Sequence, residues 1–352
     1  MQCDRRQFVV GATALGSSIV WNFGGAGAAF AQAKSMSATF GPTGILYAAT
    51  MVAVERGFAK EEGLDVKLVV TDGGAKSRQV LAAGQTDFAH GDAVHPMQIG
   101  NRGKPAKMLL ATETYASYSN IVIRKDLYDQ GITTPAKLAE WKRPNGAKPI
   151  VAATAVGSGT WMFGTYVFDK LGVGDSINWI GGGGAQTMLG GLGSKQFDAI
   201  MALPAWQIEA EKRGWGAVIY DVTDRDAWNR TFGGPLPVSV VYALDTTIAA
   251  HEAETQAYVN ALYRSIQWLK AASVDDIYVA IGQKYIGELD PDVVKQEIGF
   301  YKKLWNYSGA VTEEEFKRGG QVWYREGTDI KETTYKDAVE PRFLANAQRK
   351  FG

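Results

Sequence analysis

A glycine-rich turn made of Ser158, Gly159 and Thr160 carries the clearest chemical signal in the sequence. It follows an apolar run at 150–154 and begins a helical pattern. The free backbone N–H groups of such a helix start, with two hydroxyls beside them, can bind an anion. The same residue types also cap helices without binding a ligand, so both interpretations are open. The turn has neither the G-K-[ST] ending of a P-loop nor the spacing G-x-G-x-x-G, and nucleotide binding is therefore not expected.

The elements around this turn have a repeated order. From 150 to 206 the pattern predicts strand, glycine turn and helix twice over, followed by a third strand, which is typical of βαβ units. The first half has a similar pattern: Gly74 precedes Asp87 by thirteen positions, and Gly184 precedes Asp198 by fourteen. We therefore predict an α/β fold of two similar lobes, each a mostly parallel sheet flanked by helices, with a cleft where the helix N-termini face each other. A chance likeness of two α/β lobes is the alternative.

Two stretches connect the predicted lobes. One is the polar and aromatic stretch 115–120, and the other is the Pro- and Gly-rich stretch 233–237; both predict crossing strands or hinges. The chain then returns to the first lobe as four predicted helices, at 249–270, 274–286, 291–305 and 313–325. The predicted domains are a leader at 1–33, lobe I at 34–119 and 239–352, and lobe II at 120–238.

The first 33 residues predict a twin-arginine export signal. Arg5 and Arg6 precede an apolar, uncharged run that ends in small residues, with cleavage expected after Ala31 or Ala33. A membrane anchor is the alternative, but the run is rich in Gly, Ala and Ser and therefore weakly apolar. Export predicts a periplasmic protein.

The single cysteine, Cys3, is lost with the leader, so the mature chain is expected to have no disulfide and no cysteine metal site. With 37 basic and 37 acidic residues the chain is neutral, which argues against a nucleic-acid partner.

Several segments together resemble the periplasmic substrate-binding proteins of ABC importers. They are G-F-A-K-E-E-G-L-D-V (57–66), A-A-G-Q-T-D-F-A (82–89), I-T-T-P-A-K-L (132–138), V-G-S-G-T (156–160) and F-D-A-I (197–200). The branch they resemble most takes up aliphatic sulfonates, taurine, nitrate and thiamine-pyrimidine precursors. The resemblance implies the two-lobed periplasmic binding protein fold (type II) with two crossover strands. It also implies closure around one solute, no cofactor, a monomer, and docking on a membrane permease driven by a cytoplasmic ATPase.

The resemblance also implies where the solute binds, because the family's binding positions lie just after the strands. The predicted contacts are Tyr47, Gly74, His90, Asp92, Tyr115, Ser158, Gly159, Thr160, Trp161 and Trp206. Structural roles are open for several of them. His90, at the end of a strand predicted over 87–90, is interpretable as a satisfied histidine inside the fold, Asp92 as a helix cap, and Trp161 as a core residue.

The predicted contacts include no Arg or Lys, and Arg78 is interpreted as a solvated helix residue. A small organic anion with an apolar or aromatic body, a sulfonate or carboxylate, is therefore the first prediction for the solute. A neutral heterocycle such as a pyrimidine is the second. Two rival classes share the fold. An enzyme resembling thiamine-pyrimidine synthases is not expected, since those use a cysteine-rich motif; a sensory binding protein would look the same in sequence.

Overall fold

The computed structural model describes residues 33–71, 73–328 and 330–352, so the predicted leader lies outside the described residues except for Ala33. Residues Ala33–Gly352 form one compact unit. No helix in the described ranges is both long and apolar enough to cross a membrane.

The described part of the chain has ten strands, which form two five-stranded sheets. The strands are β1 (Lys34–Phe40), β2 (Leu64–Val70), β3 (Phe88–Asp92), β4 (Ala106–Glu113), β5 (Asn120–Arg124), β6 (Ile150–Ala153), β7 (Asn178–Gly181), β8 (Ala199–Ala202), β9 (Gly216–Tyr220) and β10 (Ser239–Leu244). The first sheet has the order β2-β1-β3-β10-β4, and the second has the order β7-β6-β8-β5-β9.

Helices cover both sheets. They are α1 (Ala48–Glu55), α2 (Phe58–Glu61), α3 (Gly74–Ala82), α4 (Val94–Gly100), α5 (Lys125–Asp129), α6 (Pro135–Glu140), α7 (Gly159–Lys170), α8 (Ala185–Gly193), α9 (Pro204–Lys212), α10 (Arg225–Phe232), α11 (Asp245–Ala250), α12 (Glu252–Ala271), α13 (Val274–Ile277), α14 (Gln283–Tyr285), α15 (Pro291–Tyr301), α16 (Glu313–Trp323), α17 (Tyr335–Ala338) and α18 (Arg342–Phe351). A single helix is predicted over 274–286. The structure instead has a π-helical turn, Tyr278–Gly282, between α13 and α14.

The two sheets have the same topology. In the first, β1 is parallel to β2 and β3, and β10 runs antiparallel to β3 and β4. In the second, β6 is parallel to β7 and β8, and β5 runs antiparallel to β8 and β9. Each sheet therefore has four strands in one direction and one reversed strand, and β1, β3 and β10 correspond to β6, β8 and β5. The predicted two-lobed α/β fold is confirmed; below, lobe I contains the first sheet and lobe II the second.

Equivalent aspartates hold the equivalent strands together. In lobe I, Asp87 precedes β3, and its Oδ2 accepts hydrogen bonds of 2.7 Å from the backbone N–H and the hydroxyl of Ser37 in β1. In lobe II, Asp198 precedes β8, and its Oδ2 accepts a 2.8 Å bond from the backbone N–H of Ile150 in β6. The repeated Gly-to-Asp spacing in the sequence thus marks a repeated contact between neighbouring strands.

The two crossings between the lobes lie side by side. The N–H of Leu236 donates to the carbonyl of Thr114 at 3.0 Å, and the N–H of Val238 donates to that of Glu113 at 3.1 Å. Gly234 has a φ of +131°, which side chains rarely adopt, and its carbonyl accepts a 2.8 Å bond from the Trp228 indole. Because the N–H groups of the second crossing donate to carbonyls of the first, the connection between the lobes is a two-stranded ribbon.

Asp198 should be a large contributor to the stability of lobe II. Its side chain is 0% exposed and forms ion pairs with Arg124 at 3.1 Å and Arg143 at 2.8 Å. Removing the carboxylate leaves two guanidinium groups without their buried partner, so we expect Asp198→Ala to lower the free energy of unfolding by about 3–5 kcal/mol. The urea midpoint followed by tryptophan fluorescence measures this loss.

Asp126 provides the matched control, because it pairs with the same Arg124 near the surface at 3.2 Å. Asp126→Ala should cost at most about 1 kcal/mol. Equal midpoints for the Asp198 and Asp126 variants would contradict a special role for the buried carboxylate.

Candidate functional site

The carboxyl ends of the parallel strands in lobe I face those of lobe II. We call the space between them the cleft. Its lobe I side is formed by the residues that follow β1, β2, β3 and β4, and its lobe II side by those that follow β6, β7 and β8. In a twisted parallel sheet this edge presents the N-termini of the following helices, here α3 and α4 in lobe I and α7, α8 and α9 in lobe II.

Asp92 packs against lobe II across the cleft. Its Oδ2 accepts a 2.6 Å hydrogen bond from the Tyr118 hydroxyl, and its Oδ1 accepts a 2.9 Å bond from the N–H of Val94 in the first turn of α4. A Cβ atom on Gly159, the first residue of α7, would lie 1.8 Å from Asp92 Oδ2 and 3.2 Å from the Tyr118 hydroxyl oxygen. The carboxyl group of lobe I therefore packs directly on the helix start of lobe II, where only glycine fits.

Burial raises the pKa of Asp92, and the bonds from Tyr118 and Val94 and the charge of Arg78 oppose that rise. The positive end of the α7 dipole is a favourable place for a negative charge. Asp92 thus accepts a bond from the first turn of α4 and lies in the cleft, and its contact with a solute stays a prediction.

The hydroxyls of the glycine-rich turn are used within the turn. Ser158 is the N-cap of α7, and its Oγ accepts from the N–H of Trp161 at 3.4 Å. Thr160 Oγ1 accepts from the N–H of Thr154 at 3.0 Å and lies 2.8 Å from the hydroxyls of both Thr154 and Ser158. The geometry favours the capping interpretation for these two side chains, whereas Gly159 lies at the cleft itself.

His90 lies inside lobe I rather than on the cleft surface. The sequence predicted that the strand ends at His90, but β3 continues to Asp92, and His90 pairs with Val241 of β10. Its Nδ1 lies 2.9 Å from the Thr50 hydroxyl, and its Nε2 lies 2.8 Å from the Thr112 hydroxyl. Burial lowers its pKa to about 3, so the ring is neutral. Because both nitrogens have partners inside the sheet, we leave His90 out of the proposed contact set.

Tyr47 lies against this histidine and reaches the cleft. Its ring centre is 5.2 Å from that of His90 in a T-shaped arrangement, and a Cβ on Gly41 would lie 2.5 Å from its hydroxyl oxygen. Burial raises the pKa of the phenol, and the nearby carboxyl groups of Glu113 and Asp92 raise it further. Tyr47 is therefore a neutral hydrogen-bonding group beside Asp92, as a solute contact requires.

Gly74 begins α3 at the cleft and lies against His95. A Cβ on Gly74 would be 3.0 Å from His95 Cε1. His95 is buried, its Nδ1 lies 3.2 Å from the Tyr242 hydroxyl, and burial together with the charge of Arg78 lowers its pKa to about 3. His95 is not among the contacts predicted from the sequence.

The prediction made for Arg78 was wrong. It was expected to be a solvated helix residue, but it is half-buried, donates to the Gln98 side chain, and its charge acts on Asp92 and His95. Burial lowers its pKa. The signal that could have found it is its position one turn after Gly74, on the face of a helix that begins at the cleft.

The three aromatic candidates are not brought together. The Arg225 guanidinium lies 3.4 Å from the ring centre of Tyr115, whose ring is 5.4 Å from that of Trp228. Trp161 is half-buried against the main core, and Trp206 packs on the smaller core of lobe II. Aromatic stacking of a solute by all three together is not favoured by this arrangement; each one singly remains a predicted contact.

Two buried carboxyl groups that the sequence prediction missed lie at the inner end of the cleft. We call Glu113, Glu297 and Tyr301 the acidic cluster. Glu113 is the last residue of β4, is 0% exposed, and accepts a 2.9 Å bond from the Ser117 hydroxyl through Oε2. Burial raises its pKa well above the usual range, and Glu297 adds to the rise.

Glu297 lies on α15 and points toward lobe II. Burial raises its pKa to about 8, and only the backbone N–H of Ala205, in the first turn of α9, opposes this. Its sequence signal was available, because Val293, Val294, Glu297 and Ile298 share the buried face of α15. Within the described residues, no group of three or more His, Cys, Asp or Glu side chains is placed to hold a metal ion.

Contacts at the rim also join the lobes. Arg325, just after α16, forms an ion pair with Asp169 of α7 and donates 2.8 Å bonds to Met162 O and Thr165 Oγ1. The Tyr166 hydroxyl donates to the Gln321 side chain at 3.1 Å, and Lys212 of α9 pairs with Asp290. With contacts at its centre, at its inner end and at its rim, the cleft is closed in this structure.

Two similar α/β lobes that close on each other at the carboxyl ends of their strands define the class of periplasmic binding proteins. The comparison with family models makes this specific: residues 31–282 match the NMT1-like family, and the chain belongs to that family. A curated relative, the putative binding protein YtlA of Bacillus subtilis strain 168, is 25% identical over 267 residues, which are 75% of this chain and 74% of YtlA.

Solved structures share the fold. A protein from Bordetella bronchiseptica RB50 superposes with a TM-score of 0.77 at 23% identity, over 91% of this chain and 98% of that one. The periplasmic nitrate-binding protein NrtA from Synechocystis PCC 6803 gives 0.70 at 14% identity, over 91% and 89%. The alkanesulfonate-binding protein SsuA from Xanthomonas axonopodis pv. citri gives 0.69 at 13%, over 88% and 99%. The predicted resemblance to the sulfonate and nitrate branch is confirmed. The desulfurization enzyme DSZB also has this fold, with a TM-score of 0.65 at 15% identity over 91% of this chain and all of that one.

The Gly159 contact predicts that a single methyl group will hold the cleft open. In Gly159→Ala, closure would bring Cβ to within 1.8 Å of Asp92 Oδ2, so Asp92 must leave its bond to Tyr118 or the lobes must stay apart. An overpacking cost of about 1–3 kcal/mol weakens solute binding roughly 5- to 150-fold. Small-angle scattering should show a larger radius of gyration than for the wild type.

Gly184→Ala is the matched control, because it places a methyl at the start of α8 in the same lobe with no atom within 4 Å. It should leave compaction unchanged. Asp92→Ala combined with Gly159→Ala should restore closure by removing the clashing oxygens. A compact single Gly159→Ala variant would contradict the proposed contact.

Closure should also depend on pH through Glu297. In the closed cleft its pKa is about 8, whereas in the open cleft it returns toward the usual value near 4.3. The closed form therefore holds a proton that the open form releases, so closure is favoured at low pH and weakens progressively as pH rises from about 4.3 to about 8. The groups facing Glu297 are Glu113 and Tyr301 of lobe I and the N–H of Ala205 of lobe II.

Scattering from pH 5.5 to 9 measures this effect. The wild type should expand toward pH 9, and Glu297→Gln, which carries no charge at any pH, should expand less. The exposed Glu314→Gln serves as the control and should follow the wild type. A radius of gyration that is independent of pH in all three would contradict the prediction.

Proposed function

We propose that this protein is the extracytoplasmic solute-binding component of an ABC importer. It closes its two lobes around a small organic solute in the cleft and delivers that solute to a membrane permease with a cytoplasmic ATPase. The observation that carries the proposal is the contact of Asp92 and Tyr118 with Gly159, in which groups beside the hinge of lobe I meet the helix start of lobe II. Membership of the NMT1-like family and the names of its structural neighbours support the same function.

The mechanism follows from a solute that touches both lobes. Such a solute binds the closed form more tightly than the open form, so its binding shifts the population toward closure. The closed shape, with Arg325 paired to Asp169 and Lys212 paired to Asp290 across the rim, is the signal that a permease can distinguish from the open shape. Periplasmic location and twin-arginine export are part of this proposal, as is action as a monomer.

The predicted organic anion has partial support in the cleft. The N-termini of α3 and α7 face it, and Arg78 is half-buried beside Asp92. A helix N-terminus contributes about 0.3–1 kcal/mol to binding an anion, or up to about 2 kcal/mol when partly buried. Against this, Asp92 already lies at the start of α7, and Glu113 and Glu297 line the inner end. The cleft therefore contains more buried acidic than basic groups, which argues against an anion and favours the second predicted class, a neutral heterocycle.

Rival classes are not favoured by any observation in the cleft. Catalysis is not proposed, because His90 and His95 are neutral and held in structural contacts of lobe I, and the chain has no cysteine after Cys3. Turnover of a bound solute by the purified protein would overturn this. A neighbouring histidine kinase gene in place of a permease gene would favour a sensory role.

Binding and closure should occur together. A thermal-shift screen of residues 34–352 against sulfonates, carboxylates, amines and pyrimidines should give a hit that, at 100 times its dissociation constant, raises the free energy of unfolding by about 2.7 kcal/mol. The same solute should reduce the radius of gyration. Stabilisation without any compaction would contradict closure around the solute, and a solute-bound protein that fails to stimulate the ATPase of its reconstituted transporter would contradict the importer function.

A further inference from the structure

The acidic cluster has unused hydrogen-bonding capacity deep in the closed protein. Glu113 is 0% exposed and Glu297 is 2% exposed. Among the described residues, Glu113 Oε1 and Glu297 Oε2 have no hydrogen-bond partner. Buried carboxyl oxygens without donors are uncommon in folded proteins and indicate a missing partner or a functional role.

No basic side chain supplies that partner. Within the described ranges, neither Glu113 nor Glu297 forms an ion pair with Lys, Arg or His. Ser117 bonds the other oxygen of Glu113, and the N–H of Ala205 faces Glu297. The remaining neighbour of both carboxyls is the phenol of Tyr301, whose pKa they raise. The two unpartnered oxygens, Glu113 Oε1 and Glu297 Oε2, can accept hydrogen bonds from a ligand. A positively charged donor suits them best because its charge also compensates a buried carboxylate.

The acidic cluster also lies beside the hinge and at the interface between the two lobes. Glu113 ends β4, and its carbonyl accepts the bond from Val238 that pairs the two crossings. Glu297 lies on α15 in lobe I and faces the start of α9 in lobe II. A group bonded to both carboxyls therefore lies beside the hinge, at the interface between the lobes.

We propose that the acidic cluster is the recognition site for the nitrogen-bearing end of the solute, and that the solute is an organic nitrogen base, an amine or amidine that donates N–H bonds to Glu113 and Glu297. This inference rests on the proposed solute-binding function and names the chemistry of the solute. It is an alternative to the organic anion predicted from sequence. In the empty closed protein, protons on the carboxyls take the place of the solute's charge.

An anion recognised by protonated carboxyl groups is the competing possibility, and the direction of the pH dependence separates the two. A protonated nitrogen base displaces protons from the cluster, so its affinity should rise as pH increases from 6 to 8. An anion that accepts hydrogen bonds from protonated Glu113 and Glu297 should bind more weakly over the same interval.

The test uses probes of matched skeleton. Isothermal titration of the mature protein at pH 6, 7 and 8 compares benzylamine and benzamidine with benzenesulfonate and benzoate, and propylamine with propanesulfonate. We expect the nitrogen bases to bind at least tenfold more tightly than the anion of the same skeleton, with affinity rising with pH. Glu113→Gln and Glu297→Gln should each lower that affinity about tenfold or more, while Glu314→Gln, an exposed residue of α16, should not change it.

Each outcome decides the matter. Preference for the anion, absence of binding by every nitrogen base, or unchanged affinity in both cluster variants overturns the inference. An anion that binds and compacts the protein leaves the importer function standing while the inference fails. A nitrogen base that binds through the cluster without compaction supports the inference and contradicts the importer function.

Discussion

Closing the cleft removes three carboxyl groups from water, and the rest of the site is arranged around that constraint. The desolvation of Asp92 is offset by bonds from Tyr118 and Val94 and by the N-terminus of α7. The first residue of α7 is Gly159, where no side chain fits beside Asp92. Glu113 accepts bonds from Ser117 and Glu297 accepts one from the N–H of Ala205, and both otherwise depend on protonation or on a ligand. An isolated buried charge is too costly to persist, so closure is tied to whatever neutralises these groups. This makes the cleft an acidic site that is stable only when protonated or occupied.

The fold was predictable because its signals are local. The Gly-to-Asp spacing in each half, repeated as Gly74 to Asp87 and Gly184 to Asp198, reflects one βαβ unit with one strand-to-strand aspartate bond. Such a pattern survives in the sequence because turn, helix and strand are each specified within a few residues.

The site was less predictable because its contacts join distant parts of the chain. Asp92 meets Gly159, and Glu297 faces Ala205, at separations that no local pattern describes. His90 was assigned to the cleft because β3 was taken to end two residues too early, and strand ends are weakly encoded. Glu297 could have been predicted from the sequence, since a carboxylate on the apolar face of a helix breaks the expected pattern of apolar residues. The hydroxyls of Ser158 and Thr160 fit both capping and binding, and only the observed bonds favour the former.

The paired crossings limit how the lobes can move. Two backbone segments that hydrogen-bond to each other, Thr114 to Leu236 and Glu113 to Val238, bend together far more easily than they shear or twist. Opening is therefore expected to have essentially one rotational degree of freedom, about an axis that runs close to Glu113. A group at the pivot moves little while the rim moves far, so a displacement of a fraction of an ångström beside Glu113 is magnified into the making or breaking of the pair between Arg325 and Asp169. Solute recognition beside the hinge is thus coupled to a larger change in the distance between the lobes at the rim.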